Sequence, residues 1–307
     1  MKPSIVVIGS SNTDMVIKTH HLPLPGETIL GGNFLMNAGG KGANQAVAAK
    51  RLGADVIFIC KKGNDIFGEQ ALKGFNEEGI NTAYIVTDPS NPSGIALITV
   101  DENAENCIVV ASGANANLMP MDLSDAKETI CSAAIVLMQL EIPIQTVNFA
   151  AALARQNGIK VILNPAPACQ LTENLLQNIW MITPNENEAE ILAGIPVTDE
   201  ATVEAAATII RNKGVENVII TLGSKGAFVL TKDIRKFVAA PEVKAIDTTA
   251  AGDVFNGALA VALLEDMPLI EAVSFACHAA AISVTRMGAQ CSSPYRKHLM
   301  LFMEPRS

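Results

Sequence analysis

Short runs that are apolar at almost every position set the narrowest limit on how this chain can fold: Ile5–Ile8, Val56–Cys60, Ile135–Leu140, Lys160–Leu163, Trp180–Thr183 and Val218–Leu222. A strand with one wet face alternates apolar and polar side chains, so strands without alternation need cover on both faces. Between them lie segments of helical spacing, near Lys41–Leu52, Asp65–Glu78, Gln145–Asn157, Glu186–Leu192 and Thr202–Asn212. Strand–helix alternation of this kind requires right-handed crossovers and predicts an α/β fold: a central, mostly parallel sheet flanked by helices. The C-terminal part reads as helical over Gly252–Glu265, Leu269–Thr285 and Tyr295–Phe302.

Two regions break the alternation. Met15–Lys18 and Gly31–Met36 are short β-like pieces, and Ala96–Val100 with Cys107–Ala111 reads as a hairpin around Asp101-Glu102-Asn103-Ala104. Such insertions predict a small secondary sheet, usable as a lid or as a dimer surface. At 307 residues and 49% hydrophobic, the chain can bury a sizeable core, and its length suits one large or two ordinary domains. A net charge of −9 argues against nucleic acid or an anionic membrane as the main partner, while leaving room for an anionic substrate held locally. The six cysteines show no metal-ligand spacing and suit reduced thiols. No apolar run approaches a membrane span or a signal peptide, so a cytoplasmic location is expected.

The stretch Val243–Leu259, VKAIDTTAAGDVFNGAL, carries the strongest chemical signal. Val243–Ile246 resembles the tail of a strand, Asp247-Thr248-Thr249 turns the chain, and Ala250-Ala251-Gly252 brings three very small side chains to a helix start. Free N–H groups and a partial positive charge gather there, so an anion can sit on the amides with Asp253 at its edge. A carboxylate beside such a nest suits phosphoryl transfer to a hydroxyl. The competing reading is a tight turn with an ordinary first-turn acid.

Other segments stay open between two readings. Asn12 and Asp14, with Thr13 between them, follow the first strand, where open parallel sheets bind ligands; they suit adjacent hydroxyls or a plain polar turn. Asn37-Ala38-Gly39-Gly40-Lys41-Gly42-Ala43-Asn44 is neither a Walker A loop nor a dinucleotide fingerprint, and either admits a ligand to the backbone or merely connects. Glu141 sits at a strand end. Asn185 and Glu188 form a capping-box pattern, or place a carboxylate near hydrated magnesium. Thr221-Leu222-Gly223-Ser224-Lys225-Gly226 is a nucleotide loop or a hairpin turn. The four histidines and the absence of a G-x-S-x-G elbow support no metal centre and no nucleophilic serine.

Taken in order, these motifs make the chain resemble the ribokinase family of PfkB-type carbohydrate kinases, from Ile5 to about Arg296. The likeness rests on Asn12-x-Asp14, Gly39–Asn44, Gln139-Leu140-Glu141 and Asn164-Pro165-Ala166-Pro167-Ala168. It continues through Thr183-Pro184-Asn185-x-x-Glu188, Thr221–Gly226, Asp247–Asp253 and Arg286-x-Gly288-Ala289-Gln290-x-Ser292-x-Pro294. The resemblance implies one domain over 1–307 with a β-lid from about 14–36 and 95–112, pairing two copies as a homodimer. It implies transfer of the ATP γ-phosphoryl to the 5-hydroxyl of D-ribose, with another sugar or nucleoside (deoxyribose, fructose, adenosine) as the alternative substrate.

By the same resemblance Asp253 is the base and the amides of Ala250, Ala251 and Gly252 form the anion hole. Asn12, Thr13, Asp14, Gly40, Lys41, Asn44 and Glu141 hold the sugar. Asn185, Thr221–Gly226 and Cys277 line the nucleotide, and Glu188 acts on Mg2+ through water. Asp247, Thr249, Ser283, Arg286, Gly288 and Ser292 surround K+. Cys277 departs from the Asn or His common in the family near adenine. A non-catalytic sugar sensor would not need Asp253, and a dehydrogenase would need a glycine fingerprint this chain lacks.

Overall fold

The computed structural model describes residues 3–103 and 105–304; Ala104 of the expected hairpin loop lies outside the described residues. The chain begins β1 (Ser4–Ile8), β2 (Asn12–Lys18), β3 (Phe34–Gly39), α1 (Lys41–Arg51), β4 (Asp55–Ile59), β5 (Lys61–Gly63), α2 (Ile66–Glu77) and β6 (Val86–Asp88). It continues with β7 (Gly94–Val100), β8 (Asn106–Ala111), α3 (Lys127–Cys131), β9 (Ile135–Met138), α4 (Ile144–Gln156), β10 (Lys160–Leu163), α5 (Glu173–Leu176) and β11 (Met181–Ile182). It ends with α6 (Glu186–Ala193), α7 (Glu200–Asn212), β12 (Asn217–Thr221), β13 (Ala227–Leu230), β14 (Arg235–Val238), α8 (Ala251–Leu264), α9 (Leu269–Ser283) and α10 (Arg296–Met303).

Among the described residues, eight strands form one sheet in the order β14-β13-β12-β11-β10-β9-β1-β4. It is parallel from β4 through β12 and antiparallel from β12 to β14. The unalternating strands explain the layering. Ile5 and Val7 of β1 pack toward α1, α8 and α9, while Val6 and Ile8 pack toward α4, α6 and α7. Both faces are therefore dry, as a parallel sheet requires. The carboxyl ends of β1, β9, β10, β11 and β12 deliver their loops to one edge, where ligands of open α/β sheets bind.

A second sheet, ordered β3-β2-β7-β8, stands apart from the first. The expected secondary sheet is therefore present; β2, β7 and β8 begin earlier than the sequence suggested, and β3 begins and ends three residues later. Asn12–Asp14 opens β2, pairing with Gly39–Asn37 of β3 and Gly94–Ala96 of β7, and is not a polar turn.

Three other expectations change. Val243–Ile246 is not a strand: Ile246 and Asp247 donate their amides to Val284 O at the end of α9, and Ile246 is 62% exposed. The apolar run from Ile135 leaves the ladder after Met138, because Leu140 donates to Ala166 O. Thr221–Gly226 turns β12 back into β13, a strand the apolar-run reading omitted, so the hairpin reading of those glycines holds.

The glycines of the Gly39–Gly42 segment serve close backbone contact. A Cβ on Gly42 would lie 2.6 Å from Ser10 N, and one on Gly40, whose φ is +89°, would lie 2.7 Å from Asn12 N. Only glycine lets the start of α1 press onto the β1–β2 connection. At Gly257, where α1 crosses α8, an added Cβ would meet Ala48 Cβ at 2.7 Å and Gln45 O at 2.8 Å. With Ala46, Ala48 and Ala49 fully buried beside it, α1 lies almost backbone to backbone against α8.

Candidate active site

The α1–α8 contact sets the first part of the site. Asp253, in the first turn of α8, is only 5% exposed, yet it reaches donors on α1. Asn44 Nδ2 donates to its Oδ2 at 2.9 Å and Gln45 Nε2 to its Oδ1 at 3.0 Å. Burial pushes the Asp253 carboxyl pKa up; Lys41, Asn44 and Gln45 pull it back and Glu141 adds to the rise.

A second carboxylate faces the same space. Glu141 Oε2 accepts from Ser10 Oγ at 2.5 Å and from the Lys41 amide at 3.0 Å, joining the ends of β1 and β9 to the start of α1. Asp14 projects from β2 with its carboxylate against Gly39, where a Cβ would lie 2.2 Å from Oδ2. Burial raises Asp14 to about 6, helped by Glu141 and Asp253 and opposed by Lys41. Lys41 itself loses by burial, but Asp253, Glu141, Glu188 and Asp14 together hold its pKa above the usual lysine value. Asn12 is 7% exposed and its Oδ1 accepts from Asn115 Nδ2 at 2.7 Å.

Beyond Asp253 opens a cleft of about 170 Å³, lined by Lys41, Asn164, Ala166, Thr183, Asn185, Glu188, Thr221, Asn256 and the segment Thr248 with Ala250–Asp253. A larger depression of about 470 Å³ lies along α2 between Glu69, Leu72, Lys73, Asn76 and Glu77, residues of one helix surface with no convergent groups. The convergent polar groups lie in the smaller cleft. Its floor is the start of α8. Ala250 adopts a left-handed backbone (φ 59°, ψ 13°), and nothing lies within 4 Å of the Cβ position of Gly252. The Ala251 amide is taken by Thr248 O at 3.2 Å, while among the described residues the amides of Gly252 and Asp253 have no protein acceptor. Open N–H groups at a helix start are suited to receiving an anion.

Asn185 and Glu188 form the full capping box: Asn185 Oδ1 accepts from the Glu188 amide at 2.8 Å and Glu188 Oε2 from the Asn185 amide at 2.9 Å. Both side chains also line the cleft, so the cap and the site coincide. Burial raises the Glu188 pKa; the Asn185 amide and Lys41 lower it, and Asp253 raises it. Of the 221–226 loop, Thr221 lines the cleft; Leu222 is buried, while Gly223, Ser224 and Lys225 are exposed in a 3-10 turn beside it. Gly226 is fixed by packing, since a Cβ there would lie 2.0 Å from Val238 O. Cys277 is 4% exposed within the core packed by α8 and α9, and burial pushes its thiol up to about 12. It does not line the cleft.

Behind the nest, Asp247 ties two loops together. Its Oδ1 accepts from the Thr249 amide at 2.9 Å and its Oδ2 from the Gly288 amide at 2.8 Å. The Arg286 amide bonds Ser283 O at 3.0 Å, and the hydroxyls of Ser283 and Ser292 bond Ala280 O and Ala289 O. Burial works against the Asp247 charge, but Thr249 and Gly288 hold its carboxyl below the usual range.

Several polar residues of this network had no role assigned from sequence. Gln45 and Asn256 are buried amides on otherwise small-residue helices, and Asn115 is buried in the turn Gly113–Asn117 after β8. Asn256 accepts from Thr183 Oγ1 at 2.6 Å and donates to Gly252 O at 2.8 Å, bracing the nest. Gln45, which follows Asn44 directly, carried no local signal, because its partner Asp253 is 208 residues later. For Asn115 there was none either, because its partner is 104 residues earlier.

A fold with a cleft at the strand ends, an open helix start and a buried carboxylate defines a class, and the chain belongs to it: the model for pfkB family carbohydrate kinases matches residues 2–296. Among individual relatives it is 48% identical over 304 residues to ribokinase of Haemophilus influenzae, covering 99% of both chains. It is 40% identical over 291 residues to a deoxyribokinase of Salmonella typhi, covering 94% of this chain and 95% of that one. The solved structure of Arabidopsis thaliana ribokinase complexed with ribose and ATP matches with a TM-score of 0.93 at 32% identity, covering 98% of this chain and 99% of that one.

Asp14 gives a thermodynamic prediction. A carboxyl whose pKa rises from 3.8 to about 6 on folding binds more protons folded than unfolded between those values. Its stability contribution is thus lost as pH rises through that window. Asp14→Asn removes the loss, and the ligand-free variant should be more stable than the parent by about 1–2 kcal/mol at about pH 7.5. Urea unfolding checks this, and an unchanged or lowered midpoint at that pH would contradict it.

Proposed function

We infer that this chain transfers the γ-phosphoryl group of ATP to the 5-hydroxyl of D-ribose, giving D-ribose 5-phosphate and ADP. One observation carries the reading: a buried carboxylate, Asp253, stands beside the open amides of a helix start, in a chain related over its full length to ribokinases. In this reading Asn12, Thr13, Asp14, Gly40, Lys41, Asn44 and Glu141 hold the sugar. The amides of Gly252 and Asp253, with Ala250 shaping the turn, receive the charge that develops on the transferring phosphoryl group. Asp253 takes the hydroxyl proton as the new O–P bond forms and the bond to the β-phosphate oxygen breaks. Because the transition state is loose, alignment and charge stabilisation dominate and the proton moves late.

The cleft beyond Asp253 takes the nucleotide, with Asn185 and the 221–226 loop along its wall. Cys277, enclosed in the core, would act only from behind that wall. Glu188, a buried carboxyl at the cleft, fits a hydrated magnesium ion held through water. When bound, that ion neutralises phosphate charge. The Asp247–Thr249 and Ser283–Ser292 loops, joined through Asp247, offer backbone carbonyls suited to K+, which would stiffen the nest without touching substrate. The four-stranded sheet serves as a lid over the sugar. Its exposed apolar residues, Ile17, Phe34, Met36, Leu97 and Val109 among them, suit pairing with a second copy. The deoxyribokinase relative makes 2-deoxyribose the second substrate to consider.

Three measurements check this reading. ADP release across pentoses, hexoses and nucleosides should show the highest kcat/KM with D-ribose, and Asp253→Asn should lose about 10²–10⁴ in kcat while still binding ribose; a better substrate elsewhere sinks the ribose assignment, and an active variant sinks the base. Exchange of Na+ for K+ at constant ionic strength should raise kcat, and equal rates would remove the cation from the nest. Light scattering should give twice the chain mass, with Val109→Asp shifting it to the monomer; a monomeric parent would exclude pairing through the sheet.

A further inference from the structure

Gln45 is fully buried, and every polar atom of its side chain is engaged. Its Nε2 donates to Asp253 Oδ1 at 3.0 Å and to Asn164 Oδ1 at 3.1 Å, and its Oε1 accepts from Gln139 Nε2 at 2.6 Å. Turning the carboxamide over would set its oxygen against two acceptor oxygens and its NH2 against another NH2, so the amide has one orientation. Its backbone is equally fixed, since the Gln45 carbonyl packs on the Gly257 backbone of α8. We propose that Gln45 is a positioning residue that holds Asp253 in its proton-accepting form and aims it, with Gln139 locking the Gln45 amide from behind.

The electrostatic setting explains why a neutral donor is needed. The charged groups facing Asp253 are Lys41 from α1, Glu141 from the loop after β9, Glu188 from α6 and Asp14 from β2. Three acids against one lysine leave a buried carboxylate with a drive to protonate, and a protonated Asp253 cannot accept the hydroxyl proton. Asn44 supports one oxygen and Gln45 the other. Because Asn44 also belongs to the proposed sugar pocket, Gln45, whose partners Asp253, Asn164 and Gln139 are all protein groups, is the donor held in place independently of substrate. This rests on Asp253 being the base, so Asp253→Asn is measured alongside.

The test is kcat/KM for ribose against pH, with unfolding temperature and calorimetric ribose binding for each variant. Gln45→Met keeps the bulk and removes the donor; its acid limb should move up by roughly one pH unit, so activity at about pH 6 falls several-fold more than the alkaline plateau. Gln45→Glu, which can still accept from Gln139 but faces Asp253 with an acid, should shift the limb further. Gln139→Met, which does not touch Asp253, should shift it in the same direction by less. An equal loss at all pH values with the limb unmoved would overturn the proposal; if Gln45→Met does not fold, Gln139→Met decides on the same readout. Full activity in Asp253→Asn would instead remove the base assignment and leave the Gln45 geometry without that role.

Discussion

Two helices approach so closely at Gly257 that no side chain fits between them, and the position of the buried carboxylate follows from that contact. Asp253 lies one turn before Gly257 on α8, and Asn44 and Gln45 lie just before Ala48 on α1. Two amide donors can then meet two carboxylate oxygens without long, mobile side chains. The same economy of bulk recurs at the start of α1, just before these residues, where Gly40 and Gly42 bring the helix onto the β1–β2 connection and the Lys41 amide onto Glu141. Small residues fix polar geometry here because backbone-to-backbone packing has few alternative arrangements.

Around this frame the charges are arranged asymmetrically. Asp14, Glu141, Asp253 and Glu188 surround Lys41, and three of the four are pushed toward protonation chiefly by burial. A folded protein that sought stability alone would not gather acids in this way. The arrangement concentrates unfavourable energy at the one edge of the sheet where strand ends, an open helix start and a cleft converge.

Much of this was legible in the sequence. Unalternating strands such as Ile5–Ile8 can sit only in a doubly covered sheet, and the small residues before Asp253 announce an open helix start. The misreadings have physical causes. Val243–Ile246 has strand composition, but the amide of Ile246, like that of Asp247 after it, bonds to the end of α9, a contact that no local pattern encodes. Asn12–Asp14 looks like a turn because polar residues favour turns. It is a strand because β3 and β7 arrive to pair with it from elsewhere in the chain. The glycines of Gly39–Gly42 and Gly226 were legible as glycine, while the reason, steric closeness to Ser10, Asn12 and Val238, exists only in three dimensions. Gln45 and Asn115 stayed silent because an amide in a sequence does not reveal its partners.

Ala250 holds a left-handed backbone that glycine would adopt at lower energy, by roughly 1 kcal/mol. A glycine would also sample many other conformations in the same loop, and each would point the following amides elsewhere. The methyl group removes most of those alternatives, so the strain is exchanged for a narrower ensemble. When an anion arrives, little conformational entropy remains to be lost and little dipole reorientation remains to be done. A turn held in this way keeps its N–H dipoles oriented whether or not a charge is present.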